Sequence, residues 1–369
     1  MDRSSPALTP VSVITGFLGS GKTTLLQRLL ADPALSDTAV LINEFGEIGL
    51  DHQLLERIDA RTVLLQSGCL CCTIRGELAD AMRDLHSQRT RGVVPPFRRL
   101  VIETTGLADP FPVLTTIHAD PVLRHHFRIG NVITTIDAVN GARHLARHGE
   151  SVKQLAVADR IVLTKTDLAT PGMVAAITER IVAINPAAPL LHATGHADDA
   201  AMLLTRDTFD LVRRSEATRT WFSEAPSAPL HHHSHDRRSS HDPDIEAFAI
   251  TFDGALDWAA FGVWLTMLLH RHGERVLRVK GILSVAGTDT PVAVHGVQHL
   301  VHPPVHMRAW PDAERRSRLV FIVQGLPPDA IRRSLAAFAE LRARAVREPA
   351  ATHRAPRRGL RRAPHAARP

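Results

Sequence analysis

No apolar run in this 369-residue sequence approaches the roughly 18 residues that a membrane-crossing helix requires. Membrane-embedded functions are therefore not expected. Met1–Pro10 is short and polar and shows no charged-then-apolar leader, so the expected compartment is the cytoplasm. Cysteine is scarce as well: three residues, all within Cys69-Leu70-Cys71-Cys72. A disulfide framework scatters its cysteines along the chain, so a reduced compartment with a metal or redox site fits better. Lysine is nearly as rare, with Lys22, Lys153, Lys165 and Lys280 against forty Arg. Where a sequence that tolerates Arg keeps Lys, a compact ammonium is what the position needs, and two of the four fall inside the motifs below. Excess charge on the body is also missing. The formal charge is +6, but residues 341–369 carry nine Arg and one Glu, which leaves about −2 for everything else. That is too weak for a phosphate-tracking surface, so no nucleic-acid partner is expected. The tail, residues 343–369, reads as solvated and disordered, as do residues 1–9.

What is present is enough apolar residue, 44%, for two domains of ordinary size. In the first half, short Val/Ile/Leu runs alternate with helical patterns. Strands are expected at Val11–Thr15, Ala39–Asn43, Thr62–Gln66, Arg99–Glu103, Asn131–Asp137 and Arg160–Thr164, with a helix over Lys22–Leu30. Continuous apolar strands separated by helices imply an α/β fold with a doubly wound, mainly parallel sheet. This domain is placed at residues 10–222. Residues 223–244, rich in Ser, Pro, Asp and His, read as a linker. A small α+β C-terminal domain follows over 245–342. Its strands are expected at Ile245–Phe252, Arg275–Val285, Pro291–Val297 and Arg318–Val323, with helices over Leu256–Leu269 and Pro328–Arg342. Trp258, Phe261, Trp264, Leu265, Leu268 and Leu269 share near-helical spacing and read as core.

Gly16-Phe17-Leu18-Gly19-Ser20-Gly21-Lys22-Thr23 fits G-x-x-x-x-G-K-[ST], between an apolar strand and a helix. The glycines let backbone N–H groups curl round an anion, and the helix adds its N-terminal dipole. Lys22 would bridge the β- and γ-phosphates and Thr23 would offer its hydroxyl to Mg²⁺, with Thr24 beside it. Leu100-Val101-Ile102-Glu103 is an apolar run ending in an acid. Glu103 would hold Mg²⁺ directly or through water and help position the attacking water. In Thr104-Thr105-Gly106 the turn brings a backbone N–H, that of Gly106, toward the γ-phosphate. Leu163-Thr164-Lys165-Thr166-Asp167 ends another apolar run in T-K-x-D. Asp167 would accept from N1–H and the 2-amino group of guanine, a donor pair that adenine lacks. The Lys165 stem would lie along the purine.

Cys69, Cys71 and Cys72 supply soft ligands suited to Zn, Cu(I) or Fe–S. Three cannot close a four-ligand structural cage, so a further position stays open to water, a carboxylate, a His or a client. A redox pair and inert buried thiols are the competing readings. Glu44, in Asn43-Glu44-Phe45-Gly46-Glu47, and His118 are candidate neighbours of the metal, and the first sits where a switch segment would sense the γ-phosphate.

Taken together, these residues resemble the CobW family of metallochaperone GTPases, which includes nitrile hydratase activators and zinc transferases. The resemblance covers about residues 10–342. It is carried by GFLGSGKTTLL at 16–26, INEFGEIGLD at 42–51, GCLCCTIRGEL at 68–78, IETTGLADP at 102–110 and ADRIVLTKTDL at 158–168. RVKGIL at 278–283 and VHGVQHLVHPP at 294–304 resemble the family's C-terminal domain. The resemblance implies slow GTP hydrolysis coupled to delivery of zinc or cobalt into a client metalloprotein, with the cysteines as metal motif and the C-terminal domain recognising the partner. Thr164 departs from the Asn common in the family, which bears on how tightly guanine is held. Two other classes compete: an ATP-dependent small-molecule kinase using the same phosphate loop, and a nonenzymatic metal sensor or store.

Overall fold

The computed structural model describes residues 8–42, 64–66, 74–193, 202–205 and 245–347. Its first domain is built on seven strands: β1 (Thr9–Thr15), β2 (Thr38–Ile42), β3 (Leu64–Gln66), β4 (Arg99–Glu103), β5 (Phe127–Asp137), β6 (Arg160–Thr164) and β7 (Leu190–His192). They pair in the order β3-β2-β4-β1-β5-β6-β7, and every pairing is parallel. The crossover helices are α1 (Lys22–Leu30), α2 (Ile74–Thr90), α3 (Phe111–Ala119), α4 (Leu123–His126), α5 (Gly141–Arg147), α6 (Gly149–Ala156) and α7 (Pro171–Ile184). The doubly wound reading is therefore correct.

Both faces of the sheet are buried, and alternation along each strand shows how. Val11, Val13, Ala39, Leu41, Leu100 and Ile102 enter one core. Their neighbours Ile14, Val40 and Val101 enter the other, with Leu25, Leu26 and Leu29 of α1. Successive side chains point to opposite faces, so a strand covered on both sides needs an unbroken apolar run. β1 lies between β4 and β5, where the winding direction reverses. The crevice at the strand C-termini beside such a reversal is where α/β sheets bind ligands.

The strand expected from Asn131 starts four residues earlier, at Phe127. Gly130 interrupts the apolar pattern because a Cβ there would sit 2.9 Å from the Ser12 hydroxyl. β7 has only three residues and carries too little pattern to be read.

The second domain contains β8 (Ile245–Phe252), α8 (Trp258–His272), β9 (Val276–Leu283), β10 (Val292–Val297), β11 (Leu300–Val301), β12 (Val305–His306), β13 (Ser317–Gln324) and α9 (Pro328–Arg347). The strands make a sheet ordered β11-β10-β9-β13-β8, with β12 also on β10, antiparallel throughout. One face takes Phe261, Trp264, Leu265, Leu268 and Leu269 of α8 into its core, as their spacing predicts. Trp258 is the exception, 40% exposed at the first turn. Asp257 starts the helix by accepting the Ala260 N–H at 2.8 Å.

The other face packs on the first domain: Ala247, Leu277 and Ile322 meet Ala156, with Ile184 alongside. At that junction Arg278 of β9 donates to the Val157 carbonyl and to the Asp159 carboxylate. Lys280 Nζ lies 3.9 Å from the same carboxylate. Burial opposes the charge on Asp159, but Arg278 and Lys280 hold its carboxyl far below the usual range. The sequence signals two domains; it does not signal this buried charge cluster between them.

No helix among the described residues is long and apolar enough to cross a membrane. α9 continues to Arg347, five residues into the segment 343–369 expected as a disordered tail, and β1 already begins at Thr9, the last residue of the expected disordered 1–9. The expected linker at 223–244 and residues 348–369 lie outside the described residues.

Candidate nucleotide site

The phosphate loop sits at the C-terminal end of β1. Gly16, Gly19 and Gly21 have φ of 141°, 70° and 88°, a region where only glycine is unstrained. Space matters as much at Gly16, where a Cβ would come within 2.4 Å of the Thr135 hydroxyl and 2.5 Å of its carbonyl. α1 begins directly after Gly21 without a side-chain cap, so its first N–H groups point at the loop and favour an anion there. Lys22 is buried and folds back, donating to the carbonyls of Gly16 at 3.0 Å and Phe17 at 3.3 Å. A buried ammonium placed on a loop of this shape fits a polyphosphate.

Thr23 donates its hydroxyl to Glu103 Oε1 at 2.7 Å. The β1–β4 register puts Ile14 opposite Glu103, so the acid closing β4 lies beside the loop opening from β1. A hydroxyl and a 5% exposed carboxylate are hard oxygen donors of the kind Mg²⁺ takes. Gly106 presses on the loop from the same side: a Cβ there would meet Leu18 N at 2.6 Å.

At the end of β6, Thr164 donates to Ser20 O at 2.7 Å and Ile136 O at 3.2 Å. Its hydroxyl thus braces the phosphate loop. Lys165 adopts φ 57° and donates to Gly19 O at 2.7 Å and to Asp137 Oδ2 at 2.8 Å. Its stem crosses the loop, and Asp167 stands exposed two residues on. Ser20 is buried and hydrogen-bonds Thr135 at 2.7 Å, while Thr24 is exposed. The fold thus gathers Gly16–Thr24, Glu103, Gly106, Thr164, Lys165 and Asp167 at one edge of the sheet.

Cys69, Cys71, Cys72 and Glu44 lie outside the described residues. The strand leading to the cysteines does not: β3 ends at Gln66, paired with Ile42, which is paired with Glu103. Gln66 is therefore two strand spacings, about 10 Å, from Glu103. His118 is exposed in the last turn of α3 and acts electrostatically on His302 of the second domain. Among the described residues no contact joins it to the phosphate loop.

Two site residues escaped the sequence reading. Asp137 closes β5 and accepts from Val139 N at 2.7 Å, Asn140 N at 3.1 Å and Lys165. Burial would raise its pKa, yet the Lys165 ammonium and the Asn140 and Val139 donors together hold it below the ordinary carboxylate value. Its signal was the one used for Glu103, an apolar strand ending in an acid. Gln154 of α6 donates to the carbonyls of Gly106 at 3.1 Å and Ala108 at 2.9 Å, and nothing local in the sequence marks it.

Comparisons with known proteins place this geometry. Residues 10–192 match the family described as CobW/HypB/UreG, nucleotide-binding domain, and residues 245–339 match the cobalamin synthesis protein cobW C-terminal domain. The chain is 35% identical over 332 residues to the zinc chaperone YjiA of Escherichia coli (strain K12), covering 90% of this chain and 98% of that protein. It is 28% identical over 368 residues to the zinc chaperone CobW of Sinorhizobium sp, covering 91% and 99%. The crystal structure of Zn(II)-bound YjiA GTPase from E. coli matches with a TM-score of 0.65 at 28% identity, over 90% of this chain and 99% of that one. With a phosphate loop at the switch point of its parallel sheet and both family domains in order, the chain belongs to the CobW/HypB/UreG family of metallochaperone GTPases.

Proposed function

We propose that this chain hydrolyses GTP to GDP and phosphate and uses that cycle to pass zinc, or alternatively cobalt, from Cys69, Cys71 and Cys72 to a client metalloprotein. The observation that carries the reading is the Thr23–Glu103 hydrogen bond beside the Lys22 loop. The relatives named zinc chaperone support the choice of cargo.

In the reaction, water attacks the γ-phosphorus, the bond to the β–γ bridging oxygen breaks, and GDP leaves with that electron pair. The water's second proton passes to solvent. Lys22 exchanges the Gly16 and Phe17 carbonyls for β- and γ-oxygens, following the charge as it moves. Mg²⁺, held by Thr23 and Glu103, would supply positive charge to those oxygens when bound. Gly106 offers its N–H to the γ-phosphate, and Asp167 takes the guanine edge while Asp137 holds Lys165 in place. Thiolates bind zinc with an incomplete shell, and a shell left open is one that can release its ion. The short path from Gln66 to Glu103 across β2 supports coupling between cargo and nucleotide. The C-terminal domain is assigned to client recognition.

GTP and ATP competing for a fluorescent guanine nucleotide, together with zinc affinity in the presence of GTP, GDP or neither, test the proposal. GTP should win, and zinc affinity should differ between nucleotide states by linkage. Equal zinc affinity in all three states would remove the coupling. Unchanged zinc binding in Cys71→Ser would remove the cysteines.

A further inference from the structure

The loop after β4 carries Gly106, whose N–H must meet the γ-phosphate, and this loop does not rest freely on the phosphate loop. The Gln154 side chain of α6 reaches it from across the site. One carboxamide nitrogen donates to Gly106 O at 3.1 Å and to Ala108 O at 2.9 Å. Both partners are carbonyls, which only accept, so the nitrogen must face them. Gln154 is fully buried. It is also fixed at its backbone, because the Thr134 hydroxyl donates to Gln154 O at 2.8 Å. Thr134 lies on β5 directly opposite Thr15 of β1, the residue that opens into Gly16. Gln154 is thereby registered to the phosphate loop through two paired strands, while its amide grips the loop that must approach the γ-phosphate.

We infer that Gln154 is a positioning residue for GTP hydrolysis: it tethers the Gly106 and Ala108 carbonyls so that the Gly106 N–H is presented to the γ-phosphate at the right depth. The geometry around Gly106 explains why such a tether is needed. Gly106 already touches the phosphate loop, a Cβ there being 2.6 Å from Leu18 N and 2.7 Å from Leu18 Cδ2, so the loop cannot move inward as a block. In the inferred arrangement the Thr105–Gly106 peptide turns toward the γ-phosphate, and the carbonyl that Gln154 holds on the far side of Gly106 serves as its pivot. Two carbonyls two residues apart sharing one donor set the direction of that pivot. Gln154 Oε1 is buried with no hydrogen-bond partner among the described residues. Gln154 does not touch the nucleotide in this arrangement. It acts through Gly106.

The inference rests on the proposed GTPase reaction, and the test separates the two. Gln154→Met keeps the volume and removes both donors. Gln154→Glu keeps the shape and turns the face toward the carbonyls into an acceptor. For wild type and both variants, kcat and KM for GTP and the affinity for GDP are measured on the full chain. If wild type does not hydrolyse GTP, the reading of the site fails. If it does, the variants should lose about tenfold or more in kcat, corresponding to ~1.4 kcal/mol of transition-state stabilisation. KM and GDP affinity should stay within about twofold of wild type. An unchanged kcat, or GDP affinity falling in parallel with kcat, would overturn the inference, since the second result is what a merely structural side chain produces. If neither variant folds, hydrogen exchange on the unaltered protein decides. Segment 105–109 should gain protection with a non-hydrolysable GTP analogue and not with GDP. Equal protection in both states refutes a γ-phosphate-dependent pivot.

Discussion

Replacing Asp159 by Asn should cost more stability than any other single change at the junction of the two domains. Asp159, its side chain 11% exposed, packs against Arg278, 3% exposed, and Lys280, 4% exposed. It also accepts the Val132 N–H at 3.0 Å through Oδ2. At the 3.9 Å separating Lys280 Nζ from Asp159 Oδ1, two unit charges attract by about 4 kcal/mol at an effective dielectric of ~20. The Arg278 pair is closer still. Desolvation offsets much of this, but removing one member of a buried cluster leaves the desolvation of the others uncompensated, and such losses run at about 3–5 kcal/mol. Asp159→Asn is expected in that range, because it strands the buried Arg278 guanidinium; Lys280, whose pKa burial and Arg278 push well below the ordinary lysine value, loses the carboxylate that favours its charge. Arg278→Met is expected to cost less, because Asp159 keeps Lys280 and the Val132 N–H. The double variant should be less destabilised than the sum of the singles by about 1–3 kcal/mol. Urea unfolding followed by tryptophan fluorescence measures all three, since Trp258, Trp264 and Trp310 belong to the second domain. If Asp159→Asn shifts stability by less than about 0.5 kcal/mol, or the double variant equals the sum, the cluster does not hold the domains together as described.

Gly106→Ala should cut GTP hydrolysis by about 100-fold, the scale of one lost transition-state donor, while GDP affinity stays near wild type; its Cβ would lie 2.6 Å from Leu18 N, and undiminished turnover would show that the loop can retreat freely. Asp137→Asn should release Lys165 from its 2.8 Å contact and weaken GTP and GDP alike by about tenfold, the worth of one charge-assisted hydrogen bond. Titration with a fluorescent guanine nucleotide checks this, and unchanged affinity refutes the positioning of Lys165. The domain junction should also be acid-sensitive. Burial first, with Arg278 and His118 adding and Asp159 opposing, pulls His302 down to about 4. Burial, Lys280 and His302 push His295 well below its ordinary value. Both are neutral when folded but take protons near pH ~6.5 when unfolded. Their contribution is therefore full above about pH 6.5 and is lost as pH falls toward 4, whereas Asp159 stays charged throughout that window. Melting temperature measured from pH 7.5 to 4.5 should fall below about pH 6.5, and His302→Gln should flatten the slope; an equal slope in that variant would exclude His302.

The amino-acid sequence by itself determined the parallel sheet, the phosphate loop, the acid at Glu103 and the division into two domains. Each rests on a local pattern: unbroken apolar strands, glycines spaced for positive φ, a carboxylate at a strand end. The helix over Lys22–Leu30 and the strands at Arg99–Glu103 and Arg160–Thr164 are legible because their signals lie within a few residues of one another. Only the tertiary structure decided what Thr164, Asp137, Gln154 and Asp159 do. Thr164 braces Ser20 from 144 positions away, Gln154 reaches Gly106 across 48, and Arg278 reaches Asp159 across 119. Hydrogen bonds and ion pairs of that range leave no periodicity in sequence. They exist because parallel strands carry distant segments to the same edge of one sheet, and because a second domain places its cations against the opposite end.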